Sequence, residues 1–125
     1  MNQIIHTDRA PAAIGPYSQA VQAGNMLFVS GQIPIDPATG SFAGEDITSQ
    51  TRQSLTNVRS ILEEAGYALS DVVKTTVLLA DIGDFAAMNA VYAEFFTSNC
   101  PARAAFAVKD LPKGAKVEIE VIASK

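Results

Sequence analysis

The spacing of apolar and polar residues changes several times along the chain, and each change predicts a new element. From Asn25 to Ile33 the residues alternate, with Met26, Phe28 and Ser30 on one side and Leu27, Val29 and Gly31 on the other. This predicts a strand, entered through an Ala23-Gly24-Asn25 turn from a partner strand over Ser18 to Gln22. Pro34, Pro37, Gly40 and Gly44 then mark a connection in which neither a central strand nor a helix continues undisturbed. From about Thr48 the period becomes helical, with Leu55, Val58, Ile61, Leu62 and Ala65 on one face and Gly66 as a stop. Val72 to Ala80, rich in Val and Thr, predicts a strand that is apolar on both faces and lies inside a sheet. Asp81 is placed to cap a second helix, in which Phe85, Met88, Tyr92, Phe95 and Phe96 form a stripe. After Cys100-Pro101, two last strands are predicted, Arg103 to Lys109 and Ala115 to Ile122, separated by Leu111-Pro112-Lys113-Gly114.

This order predicts an α+β fold, a mixed sheet with two helices covering one face. The other face also needs a cover. In a chain of 125 residues, room for a single domain over 1–125, the available cover is another copy of the same chain. A symmetric oligomer with pockets at its seams follows as the expectation.

Composition then removes several classes of function. The net charge is −4 and the cations are scattered from Arg9 to Lys125, so no basic stripe would follow a nucleic-acid backbone, and there is no Trp to serve as a stacking platform. Every apolar run is too short to span a bilayer. A single cysteine, Cys100, and an N-terminus without the basic flank and apolar stretch of a signal peptide point to the cytoplasm. No glycine-rich phosphate loop, nucleophile elbow or Cys/His cluster at metal-ligand spacing occurs, so no metal or organic cofactor is expected. His6 is the only histidine and lies near a terminus, where it reads as solvated and mobile.

A few candidates for chemistry remain. Arg103 begins a strand among Ala102, Ala104 and Ala105, side chains too short to hide it, and its planar fork of donors suits a small carboxylate. The ordinary role of such an arginine is a structural ion pair, here with Glu118 or Glu120. In the last strand Lys116, Glu118 and Glu120 share one face. A carboxylate of that face inside a pocket would have a raised pKa and could shuttle protons, but periodicity does not separate Glu118 from Glu120. Ser30-Gly31-Gln32 closes the strong strand, where a glycine admits a ligand to the backbone. The Gly15-Pro16-Tyr17-Ser18 turn would hold a phenol rigidly, and Asn89 lies beside the apolar stripe of the second helix.

Six blocks together resemble one family in order and spacing. They are Ala12-Ala13-Ile14-Gly15-Pro16-Tyr17-Ser18-Gln19-Ala20, Ser30-Gly31-Gln32-Ile33-Pro34, Thr51-Arg52-Gln53-Ser54-Leu55-x-Asn57-Val58, Val73-Lys74-Thr75-Thr76-Val77, Pro101-Ala102-Arg103 and Glu118-Ile119-Glu120. The chain resembles the RidA family, the reactive-intermediate deaminases, over essentially its whole length. The resemblance implies a chorismate-mutase-like fold and a homotrimer whose sheets form an inner barrel, with three clefts between subunits. It further implies hydrolysis of 2-aminoacrylate, through 2-iminopropanoate, and of 2-iminobutanoate to the 2-oxo acid and ammonia, without a cofactor. By position, Arg103 matches the residue that grips the substrate carboxylate and Glu118 the acid that works on water. Tyr17, Ser30, Gly31 and Asn89 match other pocket positions. Where many members read Pro-Ala-Arg-Ser-Cys, this chain has Ala104-Ala105, which leaves a main-chain contact at Ala105 and no thiol. The competing readings are a non-catalytic trimer that binds small carboxylates or a protein partner, an endoribonuclease, and a chorismate mutase. Acidic balance opposes the second, and the lack of clustered cations opposes the third.

Overall fold

The computed structural model describes residues 1–125. Eight strands and two helices follow one another in the order β1 (Gln3–Ile5), β2 (Ala20–Ala23), β3 (Met26–Gln32), β4 (Ile35–Asp36), β5 (Ser41–Phe42), α1 (Ile47–Glu64), β6 (Val72–Leu79), α2 (Phe85–Phe95), β7 (Ala102–Ala107) and β8 (Val117–Ser124). The main sheet runs β1-β2-β3-β8-β6-β7, and β4 and β5 form a small hairpin of their own. All neighbours in the main sheet are antiparallel except β6 and β7, whose parallel pairing uses α2 as its crossover.

Local chemistry accounts for the element ends. Ala23 pairs with Met26 across a two-residue turn, and Gly24 takes φ +62°, the left-handed value such a tight hairpin requires at its first central residue. Asp46 Oδ2 accepts from Ser49 N at 2.9 Å and starts α1. At its end Tyr67 N donates to Leu62 O (2.8 Å) and Gly66 N to Glu63 O (3.0 Å), with Gly66 at φ +81°: a Schellman stop, as the glycine predicted. Asp81 caps a 3-10 turn over Ile82–Asp84 that leads into α2, one step earlier than the helix itself.

Leu55, Val58, Ile61 and Leu62 of α1, Met88 of α2, and Leu27, Val77, Leu79, Val117 and Ile119 of the sheet have no exposed surface and form the core on one side of the sheet. At roughly 25 cal/mol per Å² of apolar area removed from water, this interlock is the main force that seats the helices on the sheet. The α+β expectation is met. The expectation for β6 is met only in part. It is an interior strand, but within one chain only the face carrying Thr75, Val77 and Leu79 is buried. The opposite face of the sheet is open and apolar in places: Ile4, Phe28 and Phe106 are all exposed there. Strand β1 was not anticipated, because three residues are too few to show a period; its pairing with β2 ties down an N-terminus that reads as mobile in sequence. No helix of the chain is long and apolar enough to cross a membrane.

Candidate active site

A cavity of about 910 Å³ opens at one end of the sheet. Its walls combine the ends of β3 and β8 with irregular segments, and three buried side-chain amides tie those segments and their neighbours down. Gln19 accepts from Thr7 N (2.8 Å) and donates to Thr7 O (3.0 Å) and Pro11 O (2.8 Å), fixing the N-terminal wall. Asn57 donates to Ile35 O at 2.9 Å and is itself oriented by Gln53 Nε2 at 2.8 Å, which pins the segment after β3. Gln50 reaches Gly44 O (3.0 Å) and accepts from Lys116 N (2.8 Å), joining the β5–α1 connection to the start of β8. Backbone carbonyls and amides without a ladder partner are thus satisfied by side chains. These three residues were missed at the sequence level. A periodic signal existed for Asn57, a polar residue four before Ile61 on the inward stripe of α1, whereas Gln19 was marked only by its place in the Ala12–Ala20 block.

Four of the predicted site residues line this cavity: Tyr17, Ser30, Gly31 and Glu118. Tyr17 stands half-exposed at the rim, in a turn closed by its own N–H to Gly15 O at 2.9 Å. Ser30 Oγ donates to Ser18 O at 2.6 Å, so its lone pairs are what it presents outward. Between Val29, paired with Val121, and Gln32, paired with Ile119, the register of β3 against β8 slips, and Ser30 and Gly31 bulge opposite Glu120. A bulge re-aims the strand locally, and here it brings Gly31 against the Glu118 side chain. The two glutamates that periodicity leaves equivalent are separated by this geometry. Glu118 is half-buried in the cavity, while Glu120 is exposed and borders a smaller hollow with Phe28 and Lys74. Burial raises the Glu118 pKa above the ordinary 4.5, and the nearby Glu120 charge raises it further.

Arg103, Asn89 and Ala105 lie elsewhere in the chain. Arg103 pairs in register with Thr75 and so faces α2, whereas Glu118 pairs with Leu78 on the opposite face of the sheet. The ordinary ion pair of Arg103 with Glu118 or Glu120 is therefore absent, for a plain reason: the period of two puts them on different faces. Instead Nη1 donates to Asn89 Oδ1 at 2.7 Å, and the guanidinium lies 4.7 Å from the Tyr92 ring centre and 5.5 Å from that of Phe85. Phe85, Asn89 and Tyr92 are four and three residues apart, one face of α2. Tyr92 is itself anchored by a 2.8 Å hydrogen bond between its hydroxyl and buried Thr75 Oγ1. Two residues of the predicted core stripe thus also form a platform for the arginine. Strand β7 is an edge. Val108 N donates to Leu79 O of β6, so by alternation the Ala105 N–H points to the unpaired side. Cys100 is exposed, and His6 contacts Asp8 at 3.1 Å outside this arrangement.

Fold and site together define a small α+β protein with an arginine that has no acidic partner and, on the other face of its sheet, a cavity holding a carboxyl group that has no basic one. The family model described as Endoribonuclease L-PSP matches residues 7–125. The chain belongs to that family, also known as the YjgF or RidA family. It is 58% identical over 125 residues to a RutC family protein of Pyrococcus horikoshii, covering 100% of this chain and 99% of the relative. It is 53% identical over 126 residues to the 2-iminobutanoate/2-iminopropanoate deaminase of Salmonella typhimurium, covering 98% of each. Among solved structures, E. coli TdcF with bound serine superposes with a TM-score of 0.95 at 47% identity, over 98% of each chain.

Proposed function

We propose that this chain is a cofactor-independent deaminase that hydrolyses 2-aminoacrylate, as 2-iminopropanoate, and 2-iminobutanoate to the 2-oxo acid and ammonia. One observation carries the reading: Arg103 is oriented by Asn89 with no acidic partner, and the half-buried Glu118 makes no ion pair in its cavity, so each is free to act on a substrate that reaches both. The two half-sites lie on opposite faces of one sheet, so the working site takes Arg103, Asn89 and the Ala105 amide from one subunit and Tyr17, Ser30, Gly31 and Glu118 from its neighbour. The exposed apolar residues of the open face, Ile4, Phe28 and Phe106, support the homotrimer this requires, with that face turned into the central barrel.

In this scheme the Arg103 fork and the Ala105 N–H bind the substrate carboxylate and set the imine carbon over Glu118. With the imine nitrogen protonated, the Glu118 carboxylate takes a proton from water as the water oxygen bonds to that carbon and the C=N π pair moves onto nitrogen, giving a neutral tetrahedral amino alcohol. The acid so formed protonates the nitrogen, the C–N bond breaks with its electron pair leaving on ammonia, and the hydroxyl proton is lost as the ketone forms. A pKa raised towards neutrality suits a group that must both accept and donate. Ser30, its proton committed to Ser18 O, is left to accept from the substrate N–H.

The test is pyruvate and ammonia release from 2-aminoacrylate, generated in situ from serine by a dehydratase. Wild type should exceed the spontaneous rate, and Arg103→Ala and Glu118→Ala should both lose the acceleration. The serine bound to E. coli TdcF favours a second reading, a trimer that only binds small amino-acid carboxylates. A wild-type trimer that binds serine through Arg103 but leaves the spontaneous rate unchanged would establish that reading instead.

A further inference from the structure

Gly31 reads in the sequence as a place where a ligand approaches the backbone. The structure fills that place with the protein itself. A β-carbon built on Gly31 would overlap Glu118 Oε2 and stand 2.9 Å from its Cδ and 3.1 Å from its Cγ; its three nearest neighbours are all atoms of this one side chain. Gly31 has no left-handed φ, unlike Gly15, Gly24, Gly40, Gly66 and Gly114, so the backbone there accepts an alanine without strain. The space, and not the conformation, is what requires glycine.

The bulge that carries Gly31 is also the fixed partner of the two. Ser30 N donates to Gln19 O at 2.9 Å and Ser30 Oγ to Ser18 O at 2.6 Å, while Gln32 Nε2 donates to Ser30 O at 3.1 Å. Glu118, by contrast, meets Gly31 with the free end of a flexible side chain. An added methyl group would therefore leave the strand in place and push the carboxylate off it.

We propose that the Ser30–Gly31 bulge is a seat for the Glu118 carboxylate, and that Gly31 is a positioning residue acting through Glu118. The functional part of this rests on Glu118 as the proton-transfer group proposed above. The seat fixes where the proton is delivered and keeps the carboxyl half out of water. The other ionisable groups that face it are Glu120 on its own strand and Asp8, Tyr17 and Lys113 across the cavity; its neighbour on β6 is the apolar Leu78.

Gly31→Ala should fold and assemble as wild type, lower kcat about tenfold to hundredfold, and leave KM within about twofold, because Arg103 grips the substrate from the other half-site. The Glu118 carboxyl, followed by carbon NMR through a pH titration, should move down towards the ordinary glutamate range as it swings into water. In a Glu118→Ala background the same change should cost nothing further. An unchanged kcat with Glu118 active, or losses that multiply across the two positions, would overturn the proposal. If Glu118→Ala retains the full wild-type rate, the proton-transfer role fails by itself, and the titration decides the seat: a shift in Gly31→Ala upholds it and an unmoved Glu118 refutes it. Should Gly31→Ala not fold, recovery of folding in Gly31→Ala/Glu118→Ala supports the seat, and continued misfolding rejects it.

Discussion

Removing the Asn89 side chain tests how Arg103 is made ready for a carboxylate. Asn89 is itself exposed on α2, where alanine is a better helix former, so Asn89→Ala should leave the fold intact. What it removes is the 2.7 Å bond from Arg103 Nη1 to Oδ1. A hydrogen bond to a charged group contributes about 1.5–3 kcal/mol when shielded, and at this exposed site roughly 1 kcal/mol is reasonable after competition from water. The Tyr92 and Phe85 rings, 4.7 and 5.5 Å from the guanidinium carbon, remain and limit the loss. About 1 kcal/mol corresponds to roughly a fivefold rise in KM, with kcat little changed because Glu118 is untouched. Tyr92→Leu should act in the same direction, and because both changes loosen one side chain the double variant should lose less than the product of the two. Steady-state kinetics of pyruvate release, with calorimetric titration of a competing small carboxylate, measures this directly. An Asn89→Ala enzyme with unchanged KM and unchanged carboxylate affinity would refute the argument that α2 organises the arginine.

Two further outcomes follow from the same geometry. The pKa of Glu118 is raised on folding, so the folded state binds the proton more tightly than the unfolded chain. Its contribution is fully present below the ordinary glutamate value of 4.5 and is lost as pH rises through the higher folded value. Glu118→Gln should therefore gain stability relative to wild type at neutral pH, with the difference vanishing below about pH 4, as read from urea midpoints at fixed protein concentration; a constant difference at all pH values would contradict it. Gln19→Ala should cost about 2–3 kcal/mol, one for each good hydrogen bond it loses, and should speed amide exchange in residues 7–10 before the rest of the chain; slow exchange there would mean that the N-terminal wall is held by something else.

Much of the fold was legible because period and capping are local properties. The stripe Leu55-Val58-Ile61-Leu62 with Gly66 behind it could bury only as a helix, and Val117-Ile119-Val121 could bury only as a strand. The strand over Ser18–Gln22 was displaced by two residues at its start, because Ser18 and Gln19 are committed to the bulge and to the cavity wall and not to a ladder. The short strands β1, β4 and β5 carry too few residues for any pattern to stand out.

The candidate residues were likewise legible as chemical types: an arginine among alanines, acidic positions on one strand face, a glycine closing a strand. Their relations were not, because those depend on which strands are neighbours and in what register. Pairing β7 to β6 in parallel and β8 to β6 antiparallel sets Arg103 and Glu118 on opposite faces. The one-residue slip between Val29 and Gln32 brings Gly31 to Glu118 and leaves Glu120 outside. By itself the sequence determined the elements, the apolar surplus and the kinds of group available for chemistry, since these follow from side-chain type and spacing along the chain. Only the tertiary structure decided which carboxylate is enclosed and that Arg103 turns to α2 and away from the glutamates of β8, because both follow from contacts between residues far apart in the chain.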